Sequence, residues 1–557
     1  MASPADHPWL KAYPADVDWN AVPPPVPLHE RLDDAVVRFG DRPFLDFLGR
    51  TYTYAEVGGL TDRAAKGFSL LGVGKGVRVG LCLPNCPAYV ICYYAILKAG
   101  GTVVNYNPLY VERELASQIT SSNTKIMVTL DLKGLYSKVS NLIAGTELER
   151  IVVCPMRDML PLVKGMLFSV LKRGEVSSIP EDLRHVPFSL LVNNGVLKKP
   201  VPVDMAGDIA VLQYTGGTTG VPKGAVLTQA NLSANAWQVL SWFPAIRQGQ
   251  EKILAVLPFF HVFGMTVVMN AGVAAGAQII LLPRFDVLEA LKVIEDKKPT
   301  LFPGVPSIFS AINECPQTKR YDLTSIKFCL SGGAPLALAT KEKFEKTTGC
   351  TLVEGYGLSE TSPVVTCNPI EGVQKEGSCG LPLAGTVIEI RSPDDPEKIL
   401  PIGETGEVHV AGPQVMAGYW NGSKIEPGPL TGDRLRTGDL GHLDGDGYLF
   451  LMDRIKDVII CNGYNVYPRI IEEAIHRHPA VEEASVVGLP DERRGEVPKA
   501  FVKLRAGKSL SEEDLSVFLE DKLSPMERPR FIEFRDALPK TLIGKPSKKL
   551  LMEGRHE

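Results

Sequence analysis

The chain lacks an excess of charge of either sign. Against 64 Asp and Glu it sets 60 Lys and Arg, a formal net charge of −4, so the basic surplus expected of a nucleic-acid binder is missing. Its ten cysteines contain no C-x-x-C pair, which removes the common zinc and thiol-redox spacings. Cys82, Cys86 and Cys92 fall in apolar segments and read as buried thiols of a reducing cytoplasm. No internal repeat or low-complexity tract is present. Residues 1–19 are acidic and proline-containing, without the apolar centre of a secretion signal, so a cytoplasmic location is expected.

Long uncharged runs are also scarce. The exception is 253–283, 31 residues without Asp, Glu, Lys or Arg, which is long enough to cross a bilayer. Pro258, Gly264, Asn270, Gly272 and Gly276 interrupt it, however, and His261 lies inside it. The stretches 253–257 and 278–282 read instead as buried parallel strands flanking a helix.

What is present is ordinary globular material, 45% hydrophobic and 22% charged over 557 residues. Helical patterns over 28–39, 61–71 and 88–98 alternate with strand patterns over 77–83 and 102–105, the grammar of parallel crossovers. The glycines of 72–76 lie between a helix and a strand, the reverse of a dinucleotide fingerprint, and form a turn. Thr228 caps a helix over 229–242, another covers 286–297, and a strand over 326–331 ends at Gly332 and Gly333. From Gly403 the texture changes to short strands and Gly/Asp turns. Beyond Asp457 a compact unit begins with a hairpin at Asn462-Gly463, followed by a helix over 468–478, strands over 484–487 and 499–504, and a helix opened by Ser511 and Asp514. The fold class is therefore α/β: a large N-terminal α/β domain with several sheets, residues 1–455, and a small mobile C-terminal α+β domain, residues 456–557, with Lys456 as the hinge.

Residues 158–174 carry Met159, Leu160, Leu162, Val163, Met166, Leu167, Val170 and Leu171 at roughly helical spacing beside Lys164, Lys172 and Arg173. Such a helix either lies in a membrane interface or packs on its own domain.

The chemistry concentrates in 214–224, where four glycines, three threonines and Lys223 follow an apolar run. Glycines let backbone N–H groups face an anion, threonines add hydroxyl donors and the lysine adds a cation, a mixture suited to a polyphosphate. The spacing is not that of a Walker loop.

This stretch resembles the phosphate-binding signature of the adenylate-forming superfamily, which comprises acyl-CoA synthetases, peptide-synthetase adenylation domains and luciferases. Further matches follow in the family's order along nearly the whole chain, and in detail it is most similar to the bacterial long-chain fatty-acid–CoA ligases. The resemblance implies ATP, Mg²⁺ and coenzyme A beside a fatty acid, with acyl-AMP and pyrophosphate formed first and acyl-CoA and AMP second. It implies that Thr215, Gly216, Gly217, Thr218, Thr219, Gly220 and Lys223 hold the β- and γ-phosphates, Thr218 being catalytic. In 354–361, which spans Glu354, Gly355, Tyr356 and Gly357, it implies that Tyr356 packs on adenine, Glu360 binds Mg²⁺ and Thr361 meets the α-phosphate. Gly332, Gly333, Ala334 and Pro335 would lie along adenine, while Asp439 and Arg454 would clamp the ribose. The similar tripeptide at Asp433 is a turn.

His261, in Pro-Phe-Phe-His, resembles the family histidine near the acyl carboxylate; a lone histidine in an apolar run is equally a satisfied core residue. Gly304, Val305 and Gly357 complete the implied acyl pocket, and the glycine at 357 is expected to leave room for an alkyl chain, against acetate. Gly463 and Tyr464 would line the coenzyme A tunnel. Lys545 would contact the carboxylate and the α-phosphate, although Pro546 and Ser547 depart from the family's usual continuation; alternatively Lys545, Lys548 and Lys549 form a solvated tail. An acyl-AMP ligase serving a separate carrier protein, a ligase for aryl acids and a catalytically silent binder are the competing readings. Peripheral contact of 158–174 with the inner face of a membrane, and a homodimer, complete the expected partners.

Overall fold

The computed structural model describes residues 7–21, 26–215, 222–462, 464–491, 493–540 and 547–552. Two nine-stranded sheets dominate. The first runs in the order Leu381–Pro382, Val364–Cys367, Thr351–Gly357, Phe328–Ser331, Leu301–Gly304, Lys252–Ala255, Gln278–Leu281, Pro43–Phe47, Arg50–Thr53. Its centre is parallel and its edges antiparallel. The supposed bilayer run thus divides into two central strands with a helical link, and no described helix is long and apolar enough to cross a membrane. The second sheet is built alike around Arg78–Cys82 and Thr102–Asn105, and its antiparallel pair Ile209–Thr215 and Lys223–Thr228 carries the glycine-rich loop.

The helix Pro87–Lys98 is apolar on all sides and buried at every position. The Tyr89 hydroxyl donates to Asn105 Oδ1 of the second sheet (2.7 Å) and lies within hydrogen-bond reach of the Phe259 carbonyl beyond a strand of the first (2.8 Å), so this helix ties the two sheets together. The helix expected over 61–71 begins earlier and covers Tyr54–Leu70, because Thr53 and Glu56 form a reciprocal cap ahead of it.

A third, antiparallel sheet combines Val387–Arg391, Gly406–Ala411, Arg434–Leu443 and Leu449–Arg454, starting before the change of texture seen at Gly403. Past the single 3-10 turn Ile455–Asp457, which holds the exposed Lys456, come the paired strands Ile459–Cys461 and Tyr464–Val466. Asn462 takes the left-handed conformation that this hairpin requires. The small sheet packs on Pro468–His476 around its own core, including Ile471, Ile475, Val486, Val502 and Leu515.

The 158–174 segment resolves into a turn, Met156–Met159, and a ten-residue helix, Leu162–Leu171. Gly165, Phe168 and Ser169 sit one turn apart on its inner face: Gly165 is buried and Phe168 packs against the main core. The large aliphatic side chains point the other way, so packing on its own domain does not explain them.

Candidate active site

Parallel register sets Gly304 beside Ser331 and Ser331 beside Glu354. Val305 and Gly332 to Pro335 therefore leave the sheet beside Gly355 to Gly357, which continue their strand, in one row at the carboxyl ends of the parallel strands. Lys252–Ala255 has its two successors in sequence on opposite sides, a reversal that opens a crevice at those same ends. Gly333, exposed and at φ +81°, makes the turn out of the sheet.

His261 is placed by a buried polar network that no motif announced. Asn85 donates to the Ala255 and Leu257 carbonyls and accepts from the Phe259 N–H, while Gln213 donates to the Phe260 carbonyl and accepts from Asn105. The 256–261 segment is thereby fixed to both sheets. At its end the Phe263 N–H donates to His261 Nδ1 (3.3 Å), and burial lowers the imidazole to about 4. His261 is neutral at physiological pH, with its proton on Nε2.

The strongest polar cluster surrounds Asp439. Arg454 faces it across the antiparallel ladder, and its Nε donates to Asp439 Oδ1 at 2.5 Å; the Tyr356 hydroxyl donates to Oδ2, also at 2.5 Å. The Thr437 hydroxyl accepts from the Asp439 N–H. Burial and the facing carboxylate raise Tyr356 well above its ordinary value, so it remains a donor. Each carboxylate oxygen keeps a second lone pair, which leaves Asp439 able to accept two vicinal hydroxyls.

Glu354, half-buried in the same row, has its carboxyl lifted to about 7 by burial, with the Arg469 guanidinium and the Leu336 N–H drawing it back. Arg469 belongs to the small domain, and its backbone N–H and guanidinium reach Asp453 and the Leu451 carbonyl. It brings a cation to the nucleotide half of the site that the sequence did not mark.

Thr215 and Lys223 pair at the foot of the glycine-rich loop. The Lys223 ammonium lies 5.4 Å from the Tyr419 ring centre, and the Tyr419 hydroxyl donates to Glu360 Oε1 at 2.6 Å. Tyr419, on a two-residue strand between Ile425–Glu426 and Lys223–Thr228 of the same sheet, thus links the loop to Glu360. Among the described residues no group of three or more acidic, histidine or cysteine side chains could hold a metal alone. A single carboxylate beside a phosphate loop is the donor set that suits Mg²⁺, which retains water and takes the rest of its shell from substrate phosphates.

Two expectations change. Thr361 does not face the site: it is fully buried, and its hydroxyl is committed to the Pro363 and Leu358 carbonyls. Gly357 does not open onto a pocket in the direction of a side chain, since a Cβ there would stand 2.0 Å from the Pro363 carbonyl oxygen. Its glycine serves the close approach of Thr351–Gly357 to Pro363 and Val364 and says nothing of chain length. A Cβ at Gly304 would likewise press on the Phe309 ring, at 2.9 Å.

Space for an apolar ligand lies lower. A narrow apolar cavity of about 40 Å³ is lined by residues including Val239, Phe243, Val267, Ala271, Pro303 and Leu330, between Gln229–Trp242, the π-helix Gly264–Asn270 and the strands. Pro303 and Leu330 directly precede Gly304 and Ser331. Aliphatic residues of this kind look like any core in a sequence, so no pattern distinguished them.

Tyr464 is 65% exposed on the small domain. Lys548 is not a solvated tail residue: it lies 3.9, 3.7 and 3.9 Å from Asp453, Asp457 and Glu472. Gly216, Gly217, Thr218, Thr219, Gly220, Gly463 and Lys545 lie outside the described residues.

The arrangement recurs in known proteins. The chain is 43% identical to a long-chain-fatty-acid–CoA ligase of Bacillus subtilis, covering 98% of each chain. It is 32% identical to the 4-coumarate–CoA ligase CCL1 of Humulus lupulus, over 95% of this chain and 94% of that one. The crystal structure of ATP-bound MatB from Rhodopseudomonas palustris matches with a TM-score of 0.80 at 26% identity, over 95% of this chain and 99% of its own. Residues 470–545 match the C-terminal domain of AMP-binding enzymes. Residues 32–420, which carry the row of strand ends, the glycine-rich loop and Tyr419, match the AMP-binding enzyme itself, and the chain belongs to that family.

Proposed function

We propose that the protein is an ATP-dependent long-chain fatty-acid–CoA ligase. The carboxylate of the fatty acid attacks the α-phosphate of ATP, pyrophosphate leaves, and the thiol of coenzyme A then displaces AMP from the acyl adenylate. The observation that carries this reading is the narrow, wholly apolar cavity beneath the row of strand ends from which Tyr356 reaches Asp439 and Arg454, which sets an apolar lining near a diol acceptor.

Attack of an anion on an anion needs cations and donors aimed before reaction. Lys223 supplies a cation at the foot of the phosphate loop, and Lys545 is assigned the one that meets carboxylate and α-phosphate together. Asp439 and Arg454 fix the ribose, which aims the α-phosphate along the crevice. Glu360 would hold Mg²⁺ beside the phosphates, where the ion would supply positive charge to the leaving pyrophosphate. His261, neutral and donating through Nε2, holds the acyl carboxylate without adding charge. Lys545 and the Gly463–Tyr464 hairpin serve different half-reactions, so the small domain, residues 456–557, turns about Lys456 between them.

Pyrophosphate release with palmitate, measured with and without coenzyme A, tests the reading. Release followed by palmitoyl-CoA is expected. Release without thioester would assign the chain to acyl-AMP formation for another acceptor, and no release with any fatty acid would overturn the proposal.

A further inference from the structure

The helix Leu162–Leu171 inverts the usual arrangement of a surface helix. It turns Gly165, Phe168 and Ser169 inward and presents Leu162, Val163, Met166, Leu167, Val170 and Leu171 to solvent, each 53–81% exposed. A Cβ at Gly165 would stand 2.7 Å from the Arg157 carbonyl oxygen, so close seating on the domain requires the small face. An unpartnered aliphatic face of this size is a docking surface.

Its surroundings name the occupant. Beside the helix runs an open groove of about 660 Å³, with Leu160, Leu162 and Met166 along it and Arg50, Arg157 and Asp158 at its side. The Arg50 guanidinium stacks over Tyr52 and donates to the Asp158 carbonyl; Arg157 meets only the exposed Asp158 carboxylate, at 3.3 Å. The Lys164 ammonium donates to the Leu48 carbonyl, and Lys172 pairs with Glu175. Arg50, Arg157, Lys164, Lys172 and Arg173 stand against Asp158 and Glu175, five cations to two carboxylates, in a chain whose formal net charge is −4. A symmetric contact between two copies would set these cations against their own images. An anionic leaflet accepts both the aliphatic face and the cations.

We propose that this helix docks the protein on an anionic phospholipid surface. The six aliphatic side chains enter the acyl boundary, and Arg50 and Arg157 take a headgroup phosphate in the groove. A short apolar insertion joined to a cationic patch gives the two signals that peripheral binding needs. The use of such a surface rests on the fatty-acid reading, since the substrate of such a ligase resides in bilayers; the binding itself does not depend on that reading.

The full chain is sedimented with vesicles of phosphatidylcholine plus phosphatidylglycerol and with vesicles of phosphatidylcholine alone, without substrates. The wild type is expected to bind the anionic vesicles, less so at high salt. A Leu167→Ser, Val170→Ser, Leu171→Ser variant should lose roughly tenfold in binding to both. A K164E, K172E, R173E variant and an Arg50→Gln, Arg157→Gln variant should each abolish the preference for the anionic ones. All the variants should ligate octanoate in solution as the wild type does, which shows that they are folded. Failure of the wild type to bind, or equal binding by the serine variant, overturns the proposal. So does a wild-type dimer that the serine changes convert to monomer without altering vesicle binding. A wild type that binds vesicles yet activates no fatty acid overturns the ligase reading alone.

Discussion

The two halves of the crevice are built on opposite principles. In the nucleotide half, Tyr356, Asp439 and Arg454 hold one another by 2.5 Å hydrogen bonds before any ligand arrives. In the half proposed for the acyl group, the His261 ring has one backbone donor at 3.3 Å, and burial keeps it neutral. One half is preorganised by charge and the other by a neutral donor. On that assignment a polar ligand with fixed hydroxyl geometry is gripped while an alkyl chain only needs space, so specificity for the nucleotide and tolerance among acyl chains are expected of the same fold.

The bridge between the halves should show the largest effect. Lys545→Ala removes the cation that meets carboxylate and α-phosphate together, and acyl-AMP formation should fall roughly a thousandfold, about 4 kcal/mol of barrier. Thioester formation from supplied acyl-AMP should survive. Equal loss in both half-reactions would remove that role.

Within the gripped half, Asp439→Asn leaves Arg454 half-buried without its carboxylate. We expect about a hundredfold loss in kcat/KM for ATP, with little change in KM for the fatty acid. A loss shared by both substrates would mean that the two halves are not independent. At the hinge, Lys456→Pro fixes φ in the turn Ile455–Asp457. Adenylation should persist while thioester formation falls at least roughly tenfold; unchanged overall turnover would place the hinge elsewhere.

The same contrast explains what could be read from the sequence. The residues proposed to meet phosphate or ribose stand in short local patterns, because a turn out of a strand needs glycine and charge at fixed spacing; 214–224, Tyr356 and Asp439 stood out in the sequence for that reason. Asn85, Asn105 and Gln213 were not, because their partners lie 170, 108 and 47 positions away across two sheets. The aliphatic lining of the cavity resembles any core. Gly357 was misread because a glycine required by a close backbone, Pro363, is indistinguishable in sequence from one that opens a pocket. The outward face of Leu162–Leu171 was left open between two readings for a related reason: periodicity reports that a helix has an apolar face, not whether the protein covers it.

The smallest effects concern protons, and here the two halves should respond with opposite sign. Burial raises Glu354 from 4.5 to about 7 and lowers His261 from 6.5 to about 4. Between about pH 4.5 and 7, folded Glu354 keeps a proton that the unfolded chain has released, so its contribution to stability is lost as pH rises through that window. Between about pH 6.5 and 4, unfolded His261 takes up a proton that the folded protein refuses, so stability is lost as pH falls. Each effect is on the order of 1–2 kcal/mol after allowance for partial exposure. In wild-type urea titrations the two slopes oppose one another near pH 5.5. Glu354→Gln should leave a profile that rises more steeply with pH, and His261→Asn one that falls more steeply. The His261→Asn enzyme should also keep the shape of the wild-type pH–rate curve between pH 5 and 8, because the imidazole it replaces does not titrate there. A step that disappears from that curve would show His261 acting as an acid or base, and the acyl half would then be a charged site like its neighbour.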